Sequence, residues 1–227
     1  MKALPLSMVA VIVMLSPSLA RSQIFYDSLS SANRSQGFVN PNQYFGDAIS
    51  LSGTSAIVTS LTFRIGGSVF GPASPTFQAF FYDINPGSGG FQTGDETFGT
   101  LLGSSSSQSI SVSSGSTVTL SGFSITVPQN FIWIIRNPNA DMQISSINAA
   151  GYSTVVGGSS AVTSGYWSST APTVGGSLVV LSSTGTHALG TDFAVQLGGS
   201  MVPEPSAVSL LVLGAGVLAV IRRRKKD

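Results

Sequence analysis

The sequence predicts an all-β body, a two-sheet antiparallel β-sandwich of jelly-roll type, between an N-terminal signal helix and a C-terminal transmembrane helix. Three observations predict it. Between the two ends, apolar residues recur with a period of two or in short runs, and no stretch keeps a helical period. Clusters of Gly, Pro, Asn and Ser punctuate these runs at short intervals. Each end carries an apolar segment with basic residues beside it.

In chain order, Lys2 precedes an uncharged apolar stretch, 3–15, and Ser18 and Ala20 are small residues placed for cleavage after Ala20. Residues 1–20 thus read as a secretory signal peptide. No cysteine occurs anywhere in the chain, so neither a lipid-modified N-terminus nor a disulfide is available. The body, 21–197, opens with Ile24-Phe25-Tyr26. Leu61, Phe63 and Ile65 alternate with Thr62 and Arg64. Phe77, Ala79 and Phe81 share one face, with Gln78, Phe80 and Tyr82 on the other. Val118 and Leu120 alternate with Thr117, Thr119 and Ser121, and Phe123, Ile125 and Val127 continue the pattern. The run 131–135, Phe-Ile-Trp-Ile-Ile, is apolar on both faces and predicts a central buried strand. Stretches 178–181 and 193–197 close the domain, and 198–202 reads as a short linker. Turn chemistry at Gly66-Gly67, Asn85-Pro86-Gly87, Ser114-Gly115, Asn137-Pro138-Asn139 and Gly157-Gly158 divides the body into ten or more short strands. The serine-rich stretches 104–109 and 113–116 read as turns or loops.

The formal charge of +1 for the whole chain belongs to its ends. From 21 to 202 there is no lysine, and four arginines face seven carboxylates, a net charge of −3. That excludes nucleic acid as a partner, which requires a basic footprint on the body.

Little in the body points to catalysis. His187 is the only histidine and is most simply a loop residue, so a Ser-His-Asp triad or an imidazole metal site has one member to build on. The adjacent Asp95 and Glu96 read as a solvated loop rather than the paired carboxylates of a glycosidase. Asp83 and Asn85, with Asp95 and Glu96 nearby, are the weak candidates for oxygen ligands to Ca²⁺, although the spacing is not an EF-hand and an Asx-turn explains the first two equally well. Tyr166 and Trp167 are the candidates for stacking on carbohydrate, against plain packing. The expectation is a non-enzymatic body without a cofactor. A lectin-like module bound to exopolysaccharide is the alternative, and a secreted hydrolase a more distant one.

The tail, 203–227, is the most specific part of the chain. Pro203, Glu204 and Pro205 precede an apolar run, 206–221, and then Arg222, Arg223, Arg224, Lys225 and Lys226. A helix over 206–221 spans roughly 24 Å at about 1.5 Å per residue, short of the ~30 Å hydrocarbon core, and snorkelling cations make up the difference. The basic cluster, 222–226, orients the tail with its C-terminus in the cytoplasm and the body outside. Pro203 and Pro205 keep the triplet extended and open to a processing enzyme.

This order of triplet, span and basic cluster resembles the PEP-CTERM tail. The resemblance implies an exported protein that docks in the inner membrane and is cut at its tail by an exosortase. The body is then passed to the cell surface or an extracellular matrix, and its implied partners are the exosortase and the export machinery. The body also looks like domains that accompany such tails, in Phe80-Phe81-Tyr82-Asp83, the run 99–104, Val127-Pro128 with Trp133 beyond, and Gly165-Tyr166-Trp167. That likeness implies a β-sandwich with no assigned activity.

Overall fold

The computed structural model describes residues 23–32, 34–39, 41–72, 74–86, 95–137, 139–148, 157–178 and 191–202. The expected signal peptide 1–20, the triplet and the expected tail helix fall outside them, as does His187. Among the described residues there are eleven strands, all paired antiparallel. They are β1 (Gln23–Asp27), β2 (Arg34–Val39), β3 (Gln43–Phe70), β4 (Thr76–Asn85), β5 (Thr97–Ser104), β6 (Gln108–Ser109), β7 (Thr117–Asn137), β8 (Asp141–Asn148), β9 (Gly158–Ser168), β10 (Thr191–Phe193) and β11 (Val195–Met201). The only helical element described is a 3₁₀ turn, Leu29–Ser31, and no described helix is long and apolar enough to cross a membrane.

The main path of the sheet runs β1-β11-β3-β7-β4-β5. β9 pairs with the first part of β3, while β8 pairs with its last part and also with β2 and β10. β3 and β7 are far longer than the short strands the turn signals predict, at 28 and 21 residues. Breaks in register divide them instead, because an extra residue bends a strand without ending it. Gly66-Gly67 falls in such a break, between Ile65 and Val69, rather than in a turn. In β7 the buried positions pass from even numbers, Val118 and Leu120, to odd ones, Ile125 and Val127. Gly122, at φ +79°, sits between them and resets the phase. The two runs are therefore one strand.

The stretch 131–135 is fully buried, and its two faces serve different clusters. Phe131, Trp133 and Ile135 join the main core, with Phe45, Phe63, Phe77, Phe81 and Phe193 among its largest members. Ile132 and Ile134 face a smaller cluster with Tyr82, Phe98, Tyr166 and Leu178. β7 lies between β3 and β4, so the run is the central strand its sequence predicts. The start of β5's outer edge is covered as well. Phe98 N–H donates to Gly176 O at 2.9 Å, Gly175 N–H to Phe98 O at 2.7 Å, and Leu178 N–H to Glu96 O at 3.1 Å.

Two further expectations change. Residues 198–201, read as linker, complete β11. Ser105, in a stretch read as a loop, is buried; its Oγ accepts from Ala79 N–H and donates to Ser106 O.

Candidate functional site

The body is joined to its tail without slack. β11 lies between β1 and β3, with Ser200 opposite Ile57 and Met201 opposite Ala56. Val202 N–H then donates to Ser55 O at 3.0 Å. Pro203 follows at once, and a proline cannot donate to continue the ladder. Three residues separate Val202 from the apolar run at Ser206. Even fully extended, those four steps reach only about 14 Å. The cations at 222–226 and the triplet itself lie beyond the described residues.

The residues proposed from sequence for ligands fall in two places. Tyr166 is buried, its ring edge-on to Phe98 with centroids 5.1 Å apart, and its hydroxyl donates to Thr170 O at 2.6 Å. Its ring is therefore engaged in the small cluster and leaves little face for a sugar. The backbone of Trp167 pairs with Phe45 in β3. The Ca²⁺ candidates flank one hairpin, since Asn85 pairs with Thr97. There, Asp83 Oδ1 accepts from Ile84 N–H, and Asn85 Nδ2 donates to Thr97 Oγ1 and Phe98 O. Asp95 is exposed and Glu96 buried. Among the described residues, no three His, Cys, Asp or Glu converge to hold a metal.

The small cluster has a titration signature. Burial pushes the Tyr82 phenol above its ordinary pKa, and the nearby phenols of Tyr44 and Tyr166 push it further. A raised folded value means the neutral form is favoured by folding. The stability this gives is complete below the unfolded value of about 10 and is lost as pH climbs through the folded one. Tyr82→Phe is expected to flatten the fall in stability above pH ~10. Urea melts of both proteins from neutral to strongly alkaline pH check it.

A second site has no counterpart in the sequence motifs. On the face of the sheet opposite the main core, Asp27, Gln196, Thr62 and Thr119 stand in register across β1, β11, β3 and β7. Gln196 Nε2 donates to Asp27 Oδ2 at 3.1 Å, and the two threonine hydroxyls lie 2.9 Å apart. One pleat along, Arg64 lies opposite Thr117. These residues floor an open polar groove of about 510 Å³.

Both walls of the groove are fixed by local hydrogen bonds. On one side Asp27 Oδ1 accepts from Ser30 N–H at 2.9 Å, closing a turn. Buried Ser28 anchors that turn to Val195 through its backbone N–H and its Oγ. On the other side Ser116 Oγ donates to Ser113 O at 2.7 Å, and Gly115, at φ +78°, donates its N–H to Ile65 O at 3.0 Å. The floor residues come from four strands spread between positions 27 and 196, so no local motif announces them. The only sequence signal is that Thr62 and Arg64 are the outward members of an alternating strand.

Neither the curated proteins nor the solved structures contain a match to this chain. One family model does match it, over residues 202–225. The match begins at Val202, the last described residue, which is hydrogen-bonded to β3, and it supports exosortase-dependent sorting of an exported protein to the cell surface. The chain carries a PEP-CTERM protein-sorting motif.

Proposed function

We propose that this chain is a non-enzymatic surface or matrix protein, a β-sandwich delivered through the inner membrane and released from its tail by an exosortase. The motif at 202–225, set directly against the last strand, carries the reading. In this reading the signal peptide 1–20 brings the chain to the export machinery. The span 206–221 holds it in the inner membrane, and the cations 222–226 stay in the cytoplasm. Pro203, Glu204 and Pro205 are then substrate residues, presented outside the membrane. The body becomes part of the cell surface or of an exopolysaccharide matrix. Two features support the sandwich. The main core takes Met142 and Ile144 from β8 as well as residues from β3, β4, β7 and β11. The breaks in register also bend the two long strands.

The test is the mass of the mature protein in cells with and without an exosortase. Cells with the enzyme are expected to yield a chain lacking Arg222 and all that follows, and cells without it a chain ending at Asp227. An intact tail in both strains refutes processing. Replacing Pro203, Glu204 and Pro205 by alanine is expected to give the intact tail even where the enzyme is present.

A further inference from the structure

We infer that the groove across β1, β11, β3 and β7 binds an acidic saccharide, whose carboxylate is held by Arg64. The groove is of ligand size, since small-molecule sites are typically ~300–1,000 Å³, but its lining is unlike that of a site for an apolar ligand. Its floor is built from hydroxyls, an amide, a carboxylate and a guanidinium. Among the described residues no aromatic ring lines it, so recognition rests on hydrogen bonds rather than stacking.

Arg64 sets the sign of the ligand. It is exposed, and among the described residues it has no ion-pair partner. It is also one of only four cations between residues 21 and 202. A guanidinium presents paired N–H groups that match a carboxylate in a two-bonded fork. Asp27 stays charged, but its carboxylate is bonded elsewhere: one oxygen accepts from Ser30 N–H and the other from Gln196 Nε2. Each oxygen keeps a lone pair for a sugar hydroxyl.

The row Asp27, Gln196, Thr62, Thr119 sets the shape of the ligand. Neighbouring strands lie about 4.8 Å apart, so these groups form an evenly spaced line of donors and acceptors. An extended polyhydroxylated chain that repeats its polar groups meets such a line better than a compact solute does. The fixed walls mean that little ordering is needed on binding.

The proposal stands whether or not the tail is cut. It is tested by calorimetry on the full-length chain in detergent micelles, using tetragalacturonate as the acidic probe and maltotetraose as its neutral counterpart. Tetragalacturonate is expected to bind at least about tenfold more tightly than maltotetraose. Arg64→Gln is expected to weaken tetragalacturonate binding about tenfold or more, consistent with loss of a charge-assisted pair, and to leave thermal unfolding and tail processing unchanged. Arg64→Lys, a point charge without the fork, is expected to recover part of the loss. No binding of tetragalacturonate, equal binding of the two probes, or undiminished binding by Arg64→Gln would each overturn the proposal.

Discussion

Trp133→Ala is expected to destabilise the body by about 3–5 kcal/mol, the range for removing a large buried ring. For a domain of this size that lowers the melting temperature by on the order of 10 °C. Trp133 has no solvent exposure and lies in the central strand, in a stretch that feeds both apolar clusters. Its neighbours in register, Asp47 in β3 and Phe81 in β4, belong to strands with fixed pairs of their own. The cavity therefore cannot close by a small shift. One detail separates packing from hydrogen bonding at this site. Trp133 Nε1 is buried with no partner among the described residues, and an unsatisfied buried donor costs about 1–3 kcal/mol. Trp133→Phe removes that donor while keeping a ring in place, so it is expected to lose much less than the alanine variant. Urea denaturation of the two variants beside the parent checks both expectations. Equal losses would show that the ring's size is not what holds the strand.

Gly199→Ala is expected to destabilise the body by at least about 3 kcal/mol. Two costs add. Gly199 has φ +153°, where a side chain brings strain of order 1–3 kcal/mol. Its new Cβ would also overlap the carbonyl of Ile57 and press on the Thr59 nitrogen, both of them backbone atoms of β3. They cannot yield without loosening the β11–β3 pairing, at the register break where Gly198 and Gly199 accommodate β3. Gly115→Ala is the control. Gly115 also has positive φ, +78°, but nothing lies within 4 Å of the added carbon. Only the backbone strain of about 1–2 kcal/mol applies there. Denaturation curves rank the two, and limited proteolysis near residue 202 reports whether β11 has come away from the sheet.

Much of this architecture can be read from residues. The buried faces of β3, β4 and β7 follow the alternation of Leu61, Phe63 and Ile65, of Phe77, Ala79 and Phe81, and of Val118 and Leu120. Continuity is what the residues conceal. Glycine signals both a turn and a bulge, because each uses the same conformational freedom. Gly115 makes a turn, whereas Gly122 makes a bulge inside a strand. The difference is set by long-range pairing with β3, which no local pattern contains. The same holds for 198–201, where Gly, Gly and Ser look like a linker but all pair with β3, and Gly198 and Gly199 with β1 as well. The sorting tail was legible because its parts are contiguous. The groove was not, because its row of side chains exists only after four distant strands are aligned.

The place of β11 also orders events in time. It is the last of the described strands to be made, yet it is inserted between β1, the first of them, and β3. Ser28 and Val195, bonded to each other, are 167 positions apart, and Thr59 and Gly198 are 139 apart. Contacts of such long range form late and slowly. As the chain emerges N-terminus first, β1 has no partner until the residues just before the tail arrive. Completion of the sheet therefore coincides with delivery of the tail, and the groove between β1 and β3 is absent from every shorter nascent chain. A protein truncated before residue 195 would lose the groove and the sorting motif together.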